Sequence, residues 1–371
     1  MRVGGMFCLE NPVGQADGNA DESSPQDPVS PGTYLDTLGE EVRLCMSGRC
    51  ALYSCLLDLQ AEDTRRIAYL PAYTCETVIA PYKKAGYTLR FYDVSPEALT
   101  PRFDRNLIPH ISLLGLCGYY GFSSYDRDFV GECVDAGITL VQDITHSAFS
   151  ADGIDNRARY VAGSLRKWMG IPAGGIALKR QGRFTRPLLP AEEEHLAGRI
   201  SCFEEQQRVI AGESGASEER VSDIFWKTEM RLRSMFNAYG SDELSAKIIR
   251  AYPYRNLIHL RRKNYRYILS QNPFNPQAIP VFPQLADGVC PSHLSLYAAN
   301  RKRALAVLND HGIKATVYWP FHGEISPADF PGAAYIYEHI YSVPVDQRYS
   351  ETEMALVSEA LRAAGTGESF S

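Results

Sequence analysis

From about residue 43 to residue 180 the chain alternates short apolar runs with stretches of helical period. This pattern constrains its fold more than any other feature. The runs IAYL at 67–70, LRFYDV at 89–94, ISLLGL at 111–116, ITLV at 138–141 and GIAL at 175–178 are too short for helices and read as strands. A weaker strand is expected over Ala158–Ala162. Between them, Ala51, Leu52, Cys55, Leu56 and Leu59 recur at helical spacing behind Ser47-Gly48, which predicts a helix with one buried face. Helices are also expected over Thr74–Ala85, kinked at Pro81 and closed by Gly86, and over Asp126–Ala136, closed by Gly137. Short strands alternating with helices predict an α/β domain with a largely parallel sheet.

Beyond residue 190 the pattern changes. Residues 190–270 are mostly helical by period, including the basic tract RNLIHLRRKNYRYIL, read as a solvated helix face. The last hundred residues predict a strand from Ile279 to Phe282, a helix from Leu294 to His311, strands at Ala315–Trp319 and Ser342–Val345, and a final helix. That helix is opened by the capping box Ser350-x-x-Glu353 and closed by Gly365. Residues 10–33, rich in Asn, Asp, Ser, Pro and Gly, read as a mobile arm. The expected organisation is an N-terminal arm over 1–42, a large α/β domain over 43–250 and a smaller α+β domain over 251–371.

Composition excludes several function classes. The 371 residues carry 38 Lys and Arg against 44 Asp and Glu, a net charge of −6, so there is no global basic footprint for nucleic acid or an anionic membrane. No apolar run approaches the roughly 18–20 residues that span a bilayer, and the start lacks the apolar stretch of a secretory signal. The nine cysteines are scattered with no C-x-x-C, which predicts neither a disulfide framework nor a zinc ribbon and fits a reducing, cytoplasmic setting. Walker-type, G-x-G-x-x-G, H-E-x-x-H and G-x-S-x-G motifs are all missing from the sequence.

What remains are polar residues at strand ends, where α/β sheets bind ligands. Asp143 ends the apolar strand ITLVQD, where a carboxylate needs a partner. Lys167 follows in GSLRKWMGIPAGG, where partial burial and Arg166 both disfavour protonation of the amine, as suits a lysine that bonds a carbonyl. Ser164 stands three residues before it, and Ser47-Gly48 offers free backbone N–H groups at a helix start. Taken in order, these are the parts pyridoxal phosphate requires: an anion site, a carboxylate for the pyridine nitrogen and an amine.

At this point the chain resembles the fold-type I pyridoxal-phosphate enzymes, and more narrowly the DegT-like sugar aminotransferases. The resemblance rests on SGRCALYSCL at 47–56, LPAYTCETVIAPYKKAGYTLRFYDV at 70–94, VQDITHSAFS at 141–150, SLRKWMGIPAGGIAL at 164–178 and SVPVDQRYSETEM at 342–354. It implies a large, mostly parallel sheet domain and a smaller C-terminal α+β domain. It implies pyridoxal 5'-phosphate held covalently by Lys167, with Asp143 on the pyridine nitrogen and His146 at the ring hydroxyl. Gly48, Arg49 and Ser164 would then lie on the phosphate side. The activity implied is transfer of an amino group from a donor such as glutamate to a keto or aldehyde acceptor, in a symmetric homodimer. The alternatives are another reaction on the same cofactor, such as carbon–carbon bond formation or elimination, and a non-catalytic scaffold or regulator.

The chain also departs from the family. Cys75 stands where an aromatic residue usually stacks on the ring, leaving His146 or Tyr73 to substitute; Gln142 replaces a common glutamate; the lysine motif is the shorter S-x-R-K form. The G-x-N-x-R stretch that lends phosphate contacts to a neighbouring subunit is not evident in 225–256. These departures describe a divergent branch whose substrate need not be a nucleotide sugar.

Overall fold

The computed structural model describes residues 2–11, 34–38 and 41–365; most of the expected arm over 10–33 lies outside them. The first half contains β1 (Val3–Gly4), β2 (Glu41–Cys45), α1 (Gly48–Leu59), β3 (Ile67–Pro71), α2 (Glu76–Lys84), β4 (Thr88–Ser95), β5 (Thr100–Arg102), β6 (Leu113–Cys117), α3 (Arg127–Asp135), β7 (Thr139–Asp143), β8 (Tyr160–Ser164) and β9 (Gly175–Lys179). The second half contains α4 (Glu193–Ile210), α5 (Glu218–Met235), α6 (Glu243–Ala251), α7 (Tyr254–Gln271), β10 (Ile279–Pro280), β11 (Leu294–Tyr297), α8 (Arg301–Asp310), β12 (Ile313–Lys314), α9 (Pro331–His339), β13 (Ile340–Val343) and α10 (Glu351–Gly365).

Eight strands form one sheet in the order β2-β9-β8-β7-β6-β3-β4-β5. The five central strands β8, β7, β6, β3 and β4 are parallel; β9 and β5 run against them, and β2, antiparallel to β9, returns to their direction. Parallel strands are covered on both faces, which is why they read as continuous apolar runs. The two-residue period divides them. Ala68, Leu70, Val141, Ala162 and Ala177 pack with Cys50, Cys55, Leu56 and Leu59 of α1. Their neighbours Tyr69, Leu140, Val161, Ile176 and Leu178 face the opposite cluster, which includes Phe129 of α3. Register aligns the carboxyl ends: Asp143 pairs with Cys117 on one side and with Ala162 on the other. Ser47 caps α1, its hydroxyl accepting from Cys50 N at 3.2 Å.

The C-terminal third differs from the sequence reading in four places. Leu294–His311 is not one helix. Its first four residues form β11 between β10 and β13, and Asn300 then caps α8 by accepting from Arg303 N at 3.0 Å. The alternation Leu-Ser-Leu-Tyr is a strand signal that merges with the helical period beyond it. The strand expected at Ile279–Phe282 stops at Pro280, and Phe282 instead stacks on Phe122 at 3.9 Å. Residues 315–319 are not a strand: within them only Thr316 bridges, to Ser342, and Tyr318 and Trp319 turn toward the site described below. Helix α9 has no counterpart in the sequence reading, because its cap is remote in sequence. The Asp93 carboxylate on β4 accepts from Gly332 N at 3.0 Å and Ala333 N at 2.8 Å. The final capping box is present, Glu353 accepting from Ser350 N at 2.8 Å. No helix among the described residues is long and apolar enough to cross a membrane.

Candidate active site

A cavity of about 970 Å³ opens at the carboxyl ends of the parallel strands. Gly48, Arg49, Asp143, His146, Ser164 and Lys167, the six residues singled out from sequence, all line it. They arrive on three elements. The start of α1 brings Gly48 and Arg49, the end of β7 brings Asp143 and His146, and the end of β8 brings Ser164 and Lys167.

Glycine at 48 lets α1 approach β8. A Cβ there would lie 3.0 Å from Ser164 Cβ and 3.1 Å from the Gly163 carbonyl, so a side chain would push the helix start away from Ser164. Gly175 does the same on the other side, where a Cβ would fall 2.1 Å from the Ser47 carbonyl oxygen. The α1 amides and the Ser164 hydroxyl therefore share one corner. The Ser47 hydroxyl is used for capping, which leaves the backbone N–H groups of the first turn as the anion donors.

Asp143 Oδ1 accepts from Thr145 N at 2.8 Å and Thr145 Oγ1 at 2.6 Å, and the other carboxylate oxygen is left to the cavity. Burial raises this carboxyl above its ordinary value, against the two Thr145 bonds. A cationic nitrogen entering the cavity would therefore find a carboxylate that gains from the pairing.

Lys167 ends a short turn over Leu165–Lys167, its Nζ lying 4.9 Å from the centre of the Tyr318 ring. Burial lowers the amine below its ordinary value; Cys75 opposes this and Arg166 reinforces it. The His146 ring is stacked on Trp319 at 5.4 Å and 10°, and neither ring nitrogen has a partner. Burial, then Lys167, pushes His146 down to about 3, so it is a neutral imidazole able to donate at one nitrogen and accept at the other.

Two departures noted in the sequence, at Cys75 and Gln142, find physical accounts. Cys75 lines the cavity, its Sγ accepting from Thr77 Oγ1 at 3.0 Å. Tyr73 is fully buried away from the cavity, its hydroxyl 3.0 Å from that of Tyr120. Of the aromatic rings lining the cavity, those of Tyr318 and Trp319 pack on His146, and Tyr318 also hydrogen-bonds the His293 ring. Gln142 is fully buried and uses both ends of its amide: Nε2 donates to Gly153 O at 3.0 Å and Oε1 accepts from Asp155 N at 2.7 Å. A carboxylate could not make the first bond.

Sequence reasoning missed Tyr318, Trp319, His293, Arg199 and Glu229, all of which line the cavity. The aromatic pair stands in ATVYWPFH, which reads as strand core, and the two charges sit on helices where charge normally means solvent.

Comparison with known proteins returned no match to any protein-family model or curated protein. Solved structures do match. A DegT DnrJ EryC1 StrS aminotransferase from Brucella abortus is 14% identical, with a TM-score of 0.64 over 89% of this chain and 87% of that one. The PLP form of the putative sugar aminotransferase Spr1654 from Streptococcus pneumoniae is 14% identical, with a TM-score of 0.63 over 88% and 87%. DesV from S. venezuelae is 17% identical, with a TM-score of 0.63 over 90% and 86%. The chain has the fold of these aminotransferases, the fold-type I architecture.

Proposed function

We propose that this chain is a pyridoxal-phosphate-dependent aminotransferase. The observation that carries the reading is that Lys167 and Asp143, from adjacent strand ends, meet in one cavity with the free N–H groups of α1. The residues fit the cofactor: Asp143 has an oxygen to spare, both His146 nitrogens lack partners, and Gly48 keeps α1 against Ser164. When bound, pyridoxal phosphate supplies a protonated ring that draws electrons from the substrate's α-carbon.

The chain's own groups do the rest. Gly48, Arg49 and Ser164 hold the phosphate. Asp143 would keep the ring nitrogen protonated, and His146 would hydrogen-bond the ring hydroxyl. Lys167 Nζ would hold the cofactor and move a proton between carbon centres, for which a lowered amine pKa is suited. Trp319, stacked on His146, covers that face of the imidazole. The partners under this reading are an amino donor such as glutamate and a keto or aldehyde acceptor, including sugar-derived ones. Trp226 and Met230, 53% and 56% exposed on α5, support a homodimer, and nine unpaired cysteines support a reducing compartment.

The test is to load the purified chain with pyridoxal phosphate, reduce with borohydride and map the labelled peptide. Label on Lys167, with visible absorbance that glutamate bleaches, is the expected result. Label on any other lysine refutes the site. Absorbance that no amine changes refutes transamination and favours a scaffold.

A further inference from the structure

Four charged side chains from four separate elements meet on one wall of the cavity. Arg49 comes from α1, Arg166 from the turn after β8, Arg199 from α4 and Glu229 from α5, and all four line the cavity. Arg49 and Arg199 are 6% and 4% exposed. The Nε and Nη1 atoms of all three arginines are buried with no hydrogen-bond partner. Glu229 Oε1 lies 3.3 Å from Arg166 and 3.7 Å from Arg199, longer than the 2.7–2.9 Å of a charge-assisted hydrogen bond. Burial alone would raise the Glu229 carboxyl, but Arg166, Arg199 and Arg49 together draw it down to about 2, so it is charged. Three guanidinium charges against one carboxylate leave two positive charges beside the first turn of α1.

The helices that bring Arg199 and Glu229 are held rigidly. A Cβ at Gly198 would lie 2.4 Å from Thr228 Cγ2, so α4 and α5 touch beside the two charges. Arg231 on α5 pairs with Glu192 at the α4 N-terminus at 2.6 Å, and His195 Nδ1 is 3.2 Å from Thr228 O. A preorganised pair of buried charges with unmade N–H donors is a binding site for a group that carries matching acceptors, since a buried donor left unmade is costly.

We propose that Arg166, Arg199 and Glu229, with Arg49, form a phosphate-monoester site in which the α4–α5 hairpin supplies, from the same chain, part of the charge that holds the cofactor's phosphate. This rests on the pyridoxal-phosphate reading for the identity of the ligand but not for the existence of the site. A dianion with three acceptor oxygens neutralises the two net charges and takes up the open donors, while the α1 amides and Ser164 meet it from the other side.

The test is calorimetric titration of the ligand-free full chain with inorganic phosphate at fixed ionic strength, for wild type, R199Q and E229Q. R199Q is expected to weaken phosphate binding by about tenfold or more, the loss of charge-assisted donors. E229Q removes the site's one negative charge and is expected to tighten it by about threefold. Wild type that binds no phosphate at millimolar concentration, or R199Q within about twofold of wild type, overturns the proposal. If R199Q does not fold, E229Q decides, and no tightening there overturns it. A parallel titration with pyridoxal phosphate separates the two readings. Phosphate binding that depends on Arg199, without uptake of pyridoxal phosphate on Lys167, leaves this site standing and removes the cofactor. Equal uptake by wild type and R199Q leaves the cofactor standing and removes this site.

Discussion

Helix α1 presents its first turn to the cavity, and its other end is fastened by one buried carboxylate. Asp58 is 2% exposed in the last turn. Its Oδ2 accepts from Lys179 Nζ and Tyr160 Oη, each at 2.7 Å, and its Oδ1 accepts from Thr185 N at 2.6 Å and Thr185 Oγ1 at 2.7 Å. These bonds tie α1 to β8, β9 and the loop beyond. Asp58→Ala leaves the Lys179 ammonium, whose side chain is 7% exposed, with only the Arg183 carbonyl as a partner. Removing one member of a buried pair costs about 3–5 kcal/mol, and that is the expected loss.

Asp58→Asn is expected to be no milder, because four donors converge on the carboxylate and either orientation of the amide turns its NH₂ toward two of them. Lys179→Met is expected at roughly half the loss, since Asp58 keeps three of its four donors. The assay is urea unfolding at neutral pH on all three variants. The carboxyl is subject to burial, which raises it, but the Lys179, Thr185 and Tyr160 bonds bring it down to about 2. A folded pKa below the unfolded one means the contribution is complete above pH about 4 and disappears as pH falls through about 2, so the variants should converge with wild type in acid. Asp58→Asn costing less than about 1 kcal/mol, or Lys179→Met costing more than Asp58→Ala, would refute the reasoning.

Three more substitutions have outcomes fixed by the same geometry. Gly175→Ala sets a Cβ 2.1 Å from the Ser47 carbonyl, backbone that cannot yield cheaply, so it should cost about 1–3 kcal/mol in denaturant unfolding and weaken cofactor uptake measured by absorbance. Gln142→Glu places a carboxylate against the Gly153 carbonyl and should destabilise by about 1–3 kcal/mol at neutral pH, seen as a lower melting temperature. Under the proposed function, Asp143→Asn should retain most cofactor binding while lowering turnover by about a hundredfold, and near-normal turnover would remove Asp143 from the role proposed for it.

Much of this is legible in the chain alone, where each residue's part is local. The strand and helix alternation through residue 180 predicts the sheet because apolar period reports which face is buried, and Ser47, Asp126 and Ser350 cap the helices that follow them. Lys167 and Asp143 stand out in sequence because a charge placed just past an apolar strand is carried toward the interior, where it is costly without a partner. What the sequence could not decide is contact across the chain. The cap of α9 comes from Asp93, more than 200 residues earlier; β11 exists because β13 returns to pair with it; Trp319 reaches His146 from a segment that alone reads as a strand. Arg199 and Glu229 are indistinguishable in sequence from the solvated charges around them, and only the packing of α4 on α5 removes them from water. Periodicity records burial against the nearest surface, whereas the pairing of distant polar groups depends on where the backbone brings them, and that is settled by the tertiary structure.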